Sequence, residues 1–257
     1  MELRRGKGIM FEAAGLLASE VGILIRNLIQ PRRANGRNPK RSAELPKPAA
    51  GTPVLLIPGL MADDASMRPL RAELRLRGHR AYKWKLGRNR GADMPTMQSL
   101  SRRIRKIFRR TGEPVVLVGW SLGGLMAREL AKRDPRHIAG VITLGSPFSG
   151  NPDLLPVARY YRWVTRRVAD ADTLAALRMK PPVPTLAIWS ARDVIVPQHT
   201  AMGEAAEVDA SVEARCLHMQ YPADPEIALL VNRAVRAILS GELAAEGERP
   251  SDGPPLR

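Results

Sequence analysis

Between residues 51 and 240, short apolar runs alternate with segments whose apolar positions recur every three or four residues. The runs at 53–58, 81–86, 114–120, 139–145, 184–190 and 211–217 are short, mostly rich in Val, Ile and Leu, and bounded by polar or turn-forming residues, which predicts strands. The segments at 65–77, 96–110, 122–133 and 225–239 carry the helical period. Strand and helix in alternation imply an α/β architecture: a mostly parallel sheet of about six strands with helices on both faces, because parallel neighbours require crossover connections. Functional groups should then collect at the carboxyl ends of the strands.

The flanks follow other patterns. Residues 9–30 read as one amphipathic helix ended by Pro31, with Glu12, Ser19 and Arg26 spaced seven apart and therefore close to one face. Glu12, Glu20 and Arg26 break up the charge-free run of ~18 residues that a membrane span needs, so the helix is not read as spanning. Arg4, Arg5 and Lys7 resemble the basic end of a signal peptide, but Glu12 and Glu20 interrupt its apolar region and no small-x-small cleavage site follows. Packing of this helix on its own domain and attachment to a membrane surface both stay open. Residues 31–50 hold Pro31, Pro39, Pro46 and Pro48 among six Lys/Arg and suit a basic linker, and the Gly- and Pro-rich stretch 241–257 reads as a frayed tail. The expected organisation is therefore an N-terminal helix and linker at 1–50, a single domain at 51–240 and the tail. The expected location is cytoplasmic, with a peripheral membrane position as the variant.

Composition narrows the classes. A chain of 257 residues with 44% hydrophobic and 26% charged residues is neither disordered throughout nor a minimal scaffold. The single cysteine, Cys216, permits no internal disulfide. Four scattered histidines without a Cys-x-x-Cys pair give no metal-ligand spacing, so no metal site is expected, and nothing in the sequence implies an organic cofactor. The formal charge is +16, and residues 68–110 alone hold 15 basic residues against Glu73 and Asp93, a net +13. Such a field attracts anions, whether lipid, substrate or nucleic acid. An aromatic content of 4% and the lack of an RRM, zinc-finger or helix-turn-helix pattern argue against nucleic acid.

The sharpest chemical signal is Gly119-Trp120-Ser121-Leu122-Gly123-Gly124, between the strand EPVVLVGW and the helix LMARELAKR. A serine at such a turn is forced into a strained conformation that only small neighbours, here Gly119 and Gly123, leave room for, and its hydroxyl projects above the sheet. The alternative is a Gly-rich turn that serves only close packing. A serine hydroxyl needs a base, and the base needs an orienting acid. Asp193 follows the strand TLAIWS, and His218 follows the run ASVEARCL, so both fall at carboxyl ends. A turn-capping Asp193 and a solvent-exposed His218 are the plainer readings. His79 and His137 precede strands and lie at the wrong end of the sheet, while His199 is only six residues beyond Asp193. Acyl transfer also needs oxyanion donors, for which the N–H of Leu122 and, after the Pro58-Gly59 turn, the N–H of Leu60 are the candidates.

Five segments in this order, LIPGLMADDASMRPLRAELRLRGHRAY, VVLVGWSLGGLMARELA, VITLGSP, SARDVIVP and LHMQYPADPEI, resemble the α/β-hydrolase superfamily of bacterial lipase and esterase type, over residues 51–240. The resemblance implies Ser121 as nucleophile, His218 as base, Asp193 as its orienting acid, and Leu60 and Leu122 as oxyanion donors. It implies a serine carboxylester hydrolase acting through an acyl-enzyme on a small-molecule or lipid acyl ester. Two departures stand out: Pro58-Gly59 where many lipases have His-Gly, and Cys216-Leu217-His218 where many have Gly-Ser-His. Residues 147–182 form an insertion where relatives often carry a lid, and its Leu154, Leu155, Tyr160, Tyr161, Trp163 and Leu177 would either line an acyl entrance or pack on the sheet. An acyltransferase with the same residues, and a non-catalytic membrane or nucleic-acid binding protein on this scaffold, are the rival readings.

Overall fold

Val54, Leu55, Leu56 and Ile57 are all buried, although their side chains alternate between opposite sides of a strand. A strand can bury both sides only inside a sheet covered on both faces, and the computed structural model, which describes residues 51–149 and 178–243, has that arrangement. Six strands occur among the described residues: β1 (Pro53–Ile57), β2 (Arg80–Lys83), β3 (Val115–Trp120), β4 (Ile138–Leu144), β5 (Thr185–Trp189) and β6 (Ala210–Glu213). They pair in the order β2-β1-β3-β4-β5-β6, and every pairing is parallel. The helices are α1 (Arg68–Leu76), α2 (Met94–Thr111), α3 (Leu122–Arg133), the single turn α4 (Gln198–Ala201) and α5 (Pro225–Ser240).

The alternation of strand side chains divides the core. Val54, Leu56, Val116, Val118, Trp120, Ile142 and Leu144 pack with Leu70 and Leu74 of α1 and with Ile227, Val231 and Val235 of α5. Leu55, Ile57, Val115, Leu117 and Val141 pack with Leu100, Ile104 and Ile107 of α2 and with Met126 and Leu130 of α3. Each such fully buried aliphatic side chain is worth about 1.5–3 kcal/mol relative to exposure. The sheet with helices on both faces is thus as the sequence pattern predicts.

Most boundaries shift by a residue or more, α1 starting at Arg68 where 65 is expected, and three of the shifts have a visible cause. Helix α2 begins at Met94, because Asp93 accepts the Thr96 N–H at 2.8 Å and Pro95 suits a first turn; it ends where Gly112 takes a left-handed φ of 73°. The strand expected at 81–86 stops at Lys83, since the Asp64 carboxylate takes the N–H groups of Trp84 at 3.0 Å and Lys85 at 3.2 Å. The strand expected at 211–217 stops at Glu213, and the Cys216 N–H goes to the Ser190 hydroxyl at 3.3 Å. The expected helix at 9–30, the linker at 31–50, insertion residues 150–177 and tail residues from 244 onward lie outside the described residues. Among the described residues, no helix is long and apolar enough to cross a membrane.

Candidate active site

With all strands parallel, their carboxyl ends share one edge, and the loops after β1, β3, β4, β5 and β6 open there. The strand order reverses between β1 and β3, which are direct neighbours with Ile57 opposite Gly119. The connections leaving these two strands run to opposite sides, and the crevice between them holds the loop Pro58–Leu60 and Ser121.

Ser121 has φ 53° and ψ −120°, a left-handed conformation in which a non-glycine residue costs of order 1–3 kcal/mol. Its main chain is held from two sides: its N–H donates to the Leu144 carbonyl at 2.8 Å, and its own carbonyl accepts from Gly124 at 3.0 Å. Ser121 occupies the N-cap position of α3, where a serine usually bonds a free amide of the first turn, yet its side chain makes no capping bond. The strained turn leaves the hydroxyl unspent. No acidic residue lies in the first turn of α3 to offset the positive end of the helix. The glycines are steric requirements: a Cβ on Gly119 would strike the Gly123 carbonyl, and one on Gly123 would strike those of Ile57 and Pro58.

Asp193 and His218 are brought together. The Asp193 Oδ2 accepts from His218 Nδ1 at 2.7 Å, while its Oδ1 accepts from the Ile195 and Val196 amides at 3.0 and 2.8 Å. A carboxylate can only accept, so Nδ1 carries the proton and Nε2 of a neutral imidazole keeps its lone pair. Both residues are buried, at 6% and 3% exposure, so the pair is shielded from competing water. His218 opens a 3₁₀ turn, His218–Gln220, braced where Gln220 Oε1 accepts from the Leu217 N–H at 2.8 Å. Among the described residues the Ser121 hydroxyl makes no hydrogen bond.

The candidate oxyanion donors are the N–H groups of Leu122, at the first turn of α3, and Leu60, in the loop after β1, where a Cβ on the preceding Gly59 would lie 3.2 Å from the Trp120 ring. The Leu60 loop is braced by a residue that gave no signal in the sequence. Asn89 is fully buried; its carbonyl accepts from Met61 at 2.7 Å, its amide donates to Ala62 at 2.8 Å, and its Nδ2 donates to the Pro58 carbonyl at 2.8 Å. Gly145, with φ 52°, was likewise not singled out on its own: a Cβ there would lie 2.5 Å from the Tyr221 ring and 2.9 Å from Asp193 Oδ2. Tyr221 packs edge-on to His218, and burial, followed by the adjacent Asp193 charge, pushes its phenol pKa upward, so it stays protonated. The competing histidines lie elsewhere. His79 pairs with Asn232 and His137 with Asp134, while His199 is exposed on α4. Among the described residues no group of three or more His, Cys, Asp or Glu could hold a metal ion.

Residues 64–184 match the family model of the α/β hydrolase fold. No curated protein matches the chain by sequence. Among solved structures it is similar to a monoacylglycerol lipase of Paleococcus ferrophilus, with 19% identity over 74% of this chain and 96% of that one and a TM-score of 0.51. It is also similar to the metagenome-derived lipolytic enzymes LipS and LipT (15% identity, 74% and 95% covered, TM-score 0.55) and to the pyrethroid hydrolase PytH (20%, 73% and 98%, TM-score 0.52). At these identities the likeness shows the fold.

Proposed function

We propose that this chain, which belongs to the α/β-hydrolase superfamily, is a serine hydrolase that cleaves carboxylic esters through an acyl-enzyme. The observation that carries the reading is the buried Asp193–His218 hydrogen bond on the same sheet edge as a strained serine whose hydroxyl is not used for capping. The positive φ of Ser121 is a local cost that the fold carries.

In this reading His218 Nε2 takes the Ser121 proton as Oγ adds to the ester carbonyl. The imidazolium that forms is stabilised through Nδ1 by the Asp193 carboxylate, itself fixed by two main-chain amides. Charge developing on the carbonyl oxygen is met by the Leu60 and Leu122 N–H groups and by the positive end of α3. The tetrahedral intermediate collapses as His218 returns the proton to the leaving alcohol oxygen. Water, activated by the same imidazole, then attacks the Ser121 ester and releases the acid. That the similar structures include a monoacylglycerol lipase and lipolytic enzymes makes an ester the substrate class to test first.

The test is a fluorophosphonate probe followed by peptide mass spectrometry, run beside hydrolysis of p-nitrophenyl acyl esters. Modification of Ser121, with turnover lost in Ser121→Ala, His218→Ala and wild-type protein after labelling, is the expected result. Unmodified Ser121 in folded protein, or undiminished turnover in Ser121→Ala, would overturn the reading. Acyl transfer to an added alcohol in preference to water would make the enzyme an acyltransferase.

A further inference from the structure

The 15 basic residues of 68–110 do not form one patch, because the sheet separates them. Arg68, Arg71, Arg75 and Arg77 belong to α1 and its end, on the sheet face that α5 also covers. There Arg71 bonds the Asp64 carbonyl, Arg75 bonds that of Ala81, and Arg77 pairs with Glu73. Arg80 pairs with Glu113 at the sheet edge. The opposite face is different in kind. On α2, Arg102, Arg105, Lys106, Arg109 and Arg110 are all exposed and fall within about 140° of the circumference at about 100° per residue. Met97, Leu100, Ile104 and Ile107, on the other side of the helix, bury it against the sheet.

No acidic residue occurs anywhere in Met94–Thr111. The carboxylates that approach this face from neighbouring elements are already engaged: Asp134 with Arg105 and His137, Glu113 with Arg80, Glu129 with Lys132, and Asp93 on the Thr96 amide. Among the described residues Arg102, Lys106, Arg109 and Arg110 have no carboxylate partner. The pairs 102/106, 106/110 and 105/109 place like charges one helical turn apart, an arrangement that opposes an isolated helix and that a polyanion would relieve. Arg102 to Arg110 spans about 12 Å along the axis. On the flank, Arg103 lies over the Tyr82 ring and bonds the Lys83 carbonyl, which carries the positive surface on to edge strand β2.

We propose that this α2 face docks the protein on an anionic phospholipid bilayer. A bilayer is favoured over nucleic acid because none of the exposed residues of the face is aromatic, which leaves no platform for base stacking. The same chain also carries, at 9–30, an apolar sequence interrupted by charges and followed by a basic stretch, the composition that complements electrostatic docking with hydrocarbon contact. The cationic stripe lies toward the amino edge of the sheet, since α2 leads back through Gly112 to the start of β3, and is thus remote from Ser121. Docking and ester cleavage are therefore separable, and the proposal goes beyond the catalytic reading.

The experiment uses the full chain with sedimented vesicles of phosphatidylcholine alone or with about one third phosphatidylglycerol. Two triple variants remove the same net charge: Lys106→Gln/Arg109→Gln/Arg110→Gln on α2, and Arg68→Gln/Arg233→Gln/Arg236→Gln on the exposed opposite face. The expected results are binding to anionic vesicles only, weakened toward about 0.5 M salt, reduced about 10- to 100-fold by the α2 variant and less than about threefold by the other. Single substitutions in α2 should give graded losses at unchanged melting temperature. Equal losses in the two triple variants, no loss in either, equal binding to neutral vesicles, or tighter binding to duplex DNA than to anionic vesicles would each overturn the proposal. Hydrolysis of a soluble ester, measured in parallel, should be the same in all variants; its failure in wild type would count against the catalytic reading alone.

Discussion

The indole Nε1 of Trp120 donates a hydrogen bond at 3.1 Å to the main-chain carbonyl of His218, 98 residues away in sequence. Trp120 ends β3 and immediately precedes Ser121, so the strand that carries the proposed nucleophile also holds the backbone of the proposed base. The two rings sit 5.8 Å apart, and the bond is buried. Trp120 is thus a positioning residue that acts through His218. Trp120→Phe keeps most of the ring volume and removes the donor; at a net worth of about 1 kcal/mol, kcat should fall roughly fivefold. KM for a short soluble ester should hardly move. A raised KM at unchanged kcat would assign Trp120 to substrate binding instead.

Ser121 makes the fold less stable than it could be. Glycine adopts a φ of 53° without steric cost, whereas alanine keeps the Cβ and the strain. Both Ser121→Gly and Ser121→Ala should be inactive, but the glycine variant should unfold at higher urea, by about 1 kcal/mol after its larger loss of chain entropy. Urea titrations of the two variants under identical conditions decide the point; an alanine variant of equal or greater stability would mean that the turn holds no strain.

Much of this was legible in the sequence, for identifiable physical reasons. Runs such as VVLVGW followed by Ser-Leu-Gly-Gly declare a strand, a tight turn and a helix locally, without long-range information. The end of β6 was not legible, because Arg215-Cys216-Leu217 continues the alternation of a strand while the partner of the Cys216 amide, the Ser190 hydroxyl, follows the neighbouring strand β5, 26 residues back in the chain. Asn89 reads as a solvated turn residue within Lys85–Arg90 and becomes buried only when the loop after β1 folds over it. The charge of 68–110 was legible as a sum, but its division between two faces depends on α1 and α2 packing on opposite sides of the sheet.

Asn89 offers a test of the oxyanion loop. Its Nδ2 holds the Pro58 carbonyl, two residues before Leu60, and its Oδ1 accepts from Gly91 at 3.1 Å, so Asn89→Ala leaves both buried main-chain groups without this partner. Each group left without a partner costs about 1–3 kcal/mol, part of it as lost stability. If the loop presents the Leu60 N–H to the transition state, kcat should fall at least about tenfold with KM nearly constant. Unchanged kcat in a destabilised but folded variant would show that the loop does not serve the reaction.

Glu207 gives a pH dependence whose sign can be worked out. Its side chain is buried, which by itself pushes the carboxyl pKa up; hydrogen bonds from the Ser149 hydroxyl, the Glu204 amide at 2.9 Å and Arg178 Nε at 2.7 Å outweigh burial and leave it below the ordinary 4.5. A carboxyl with a lower pKa in the folded than in the unfolded protein stabilises the fold above the unfolded value, and that contribution is lost as pH falls through the folded value. The same residue's main-chain carbonyl accepts from Arg128 at 3.0 Å, a guanidinium whose own pKa burial lowers to about 10, so it stays charged at neutral pH. Glu207→Gln should therefore be less stable than wild type at neutral pH, with the gap constant down to about pH 5 and closing below about pH 4.5 as the wild-type carboxyl takes up its proton. Urea midpoints for both proteins from pH 7 to pH 3 measure this gap. A difference that stays constant or widens on acidification would mean that Glu207 contributes through packing and not through its charge.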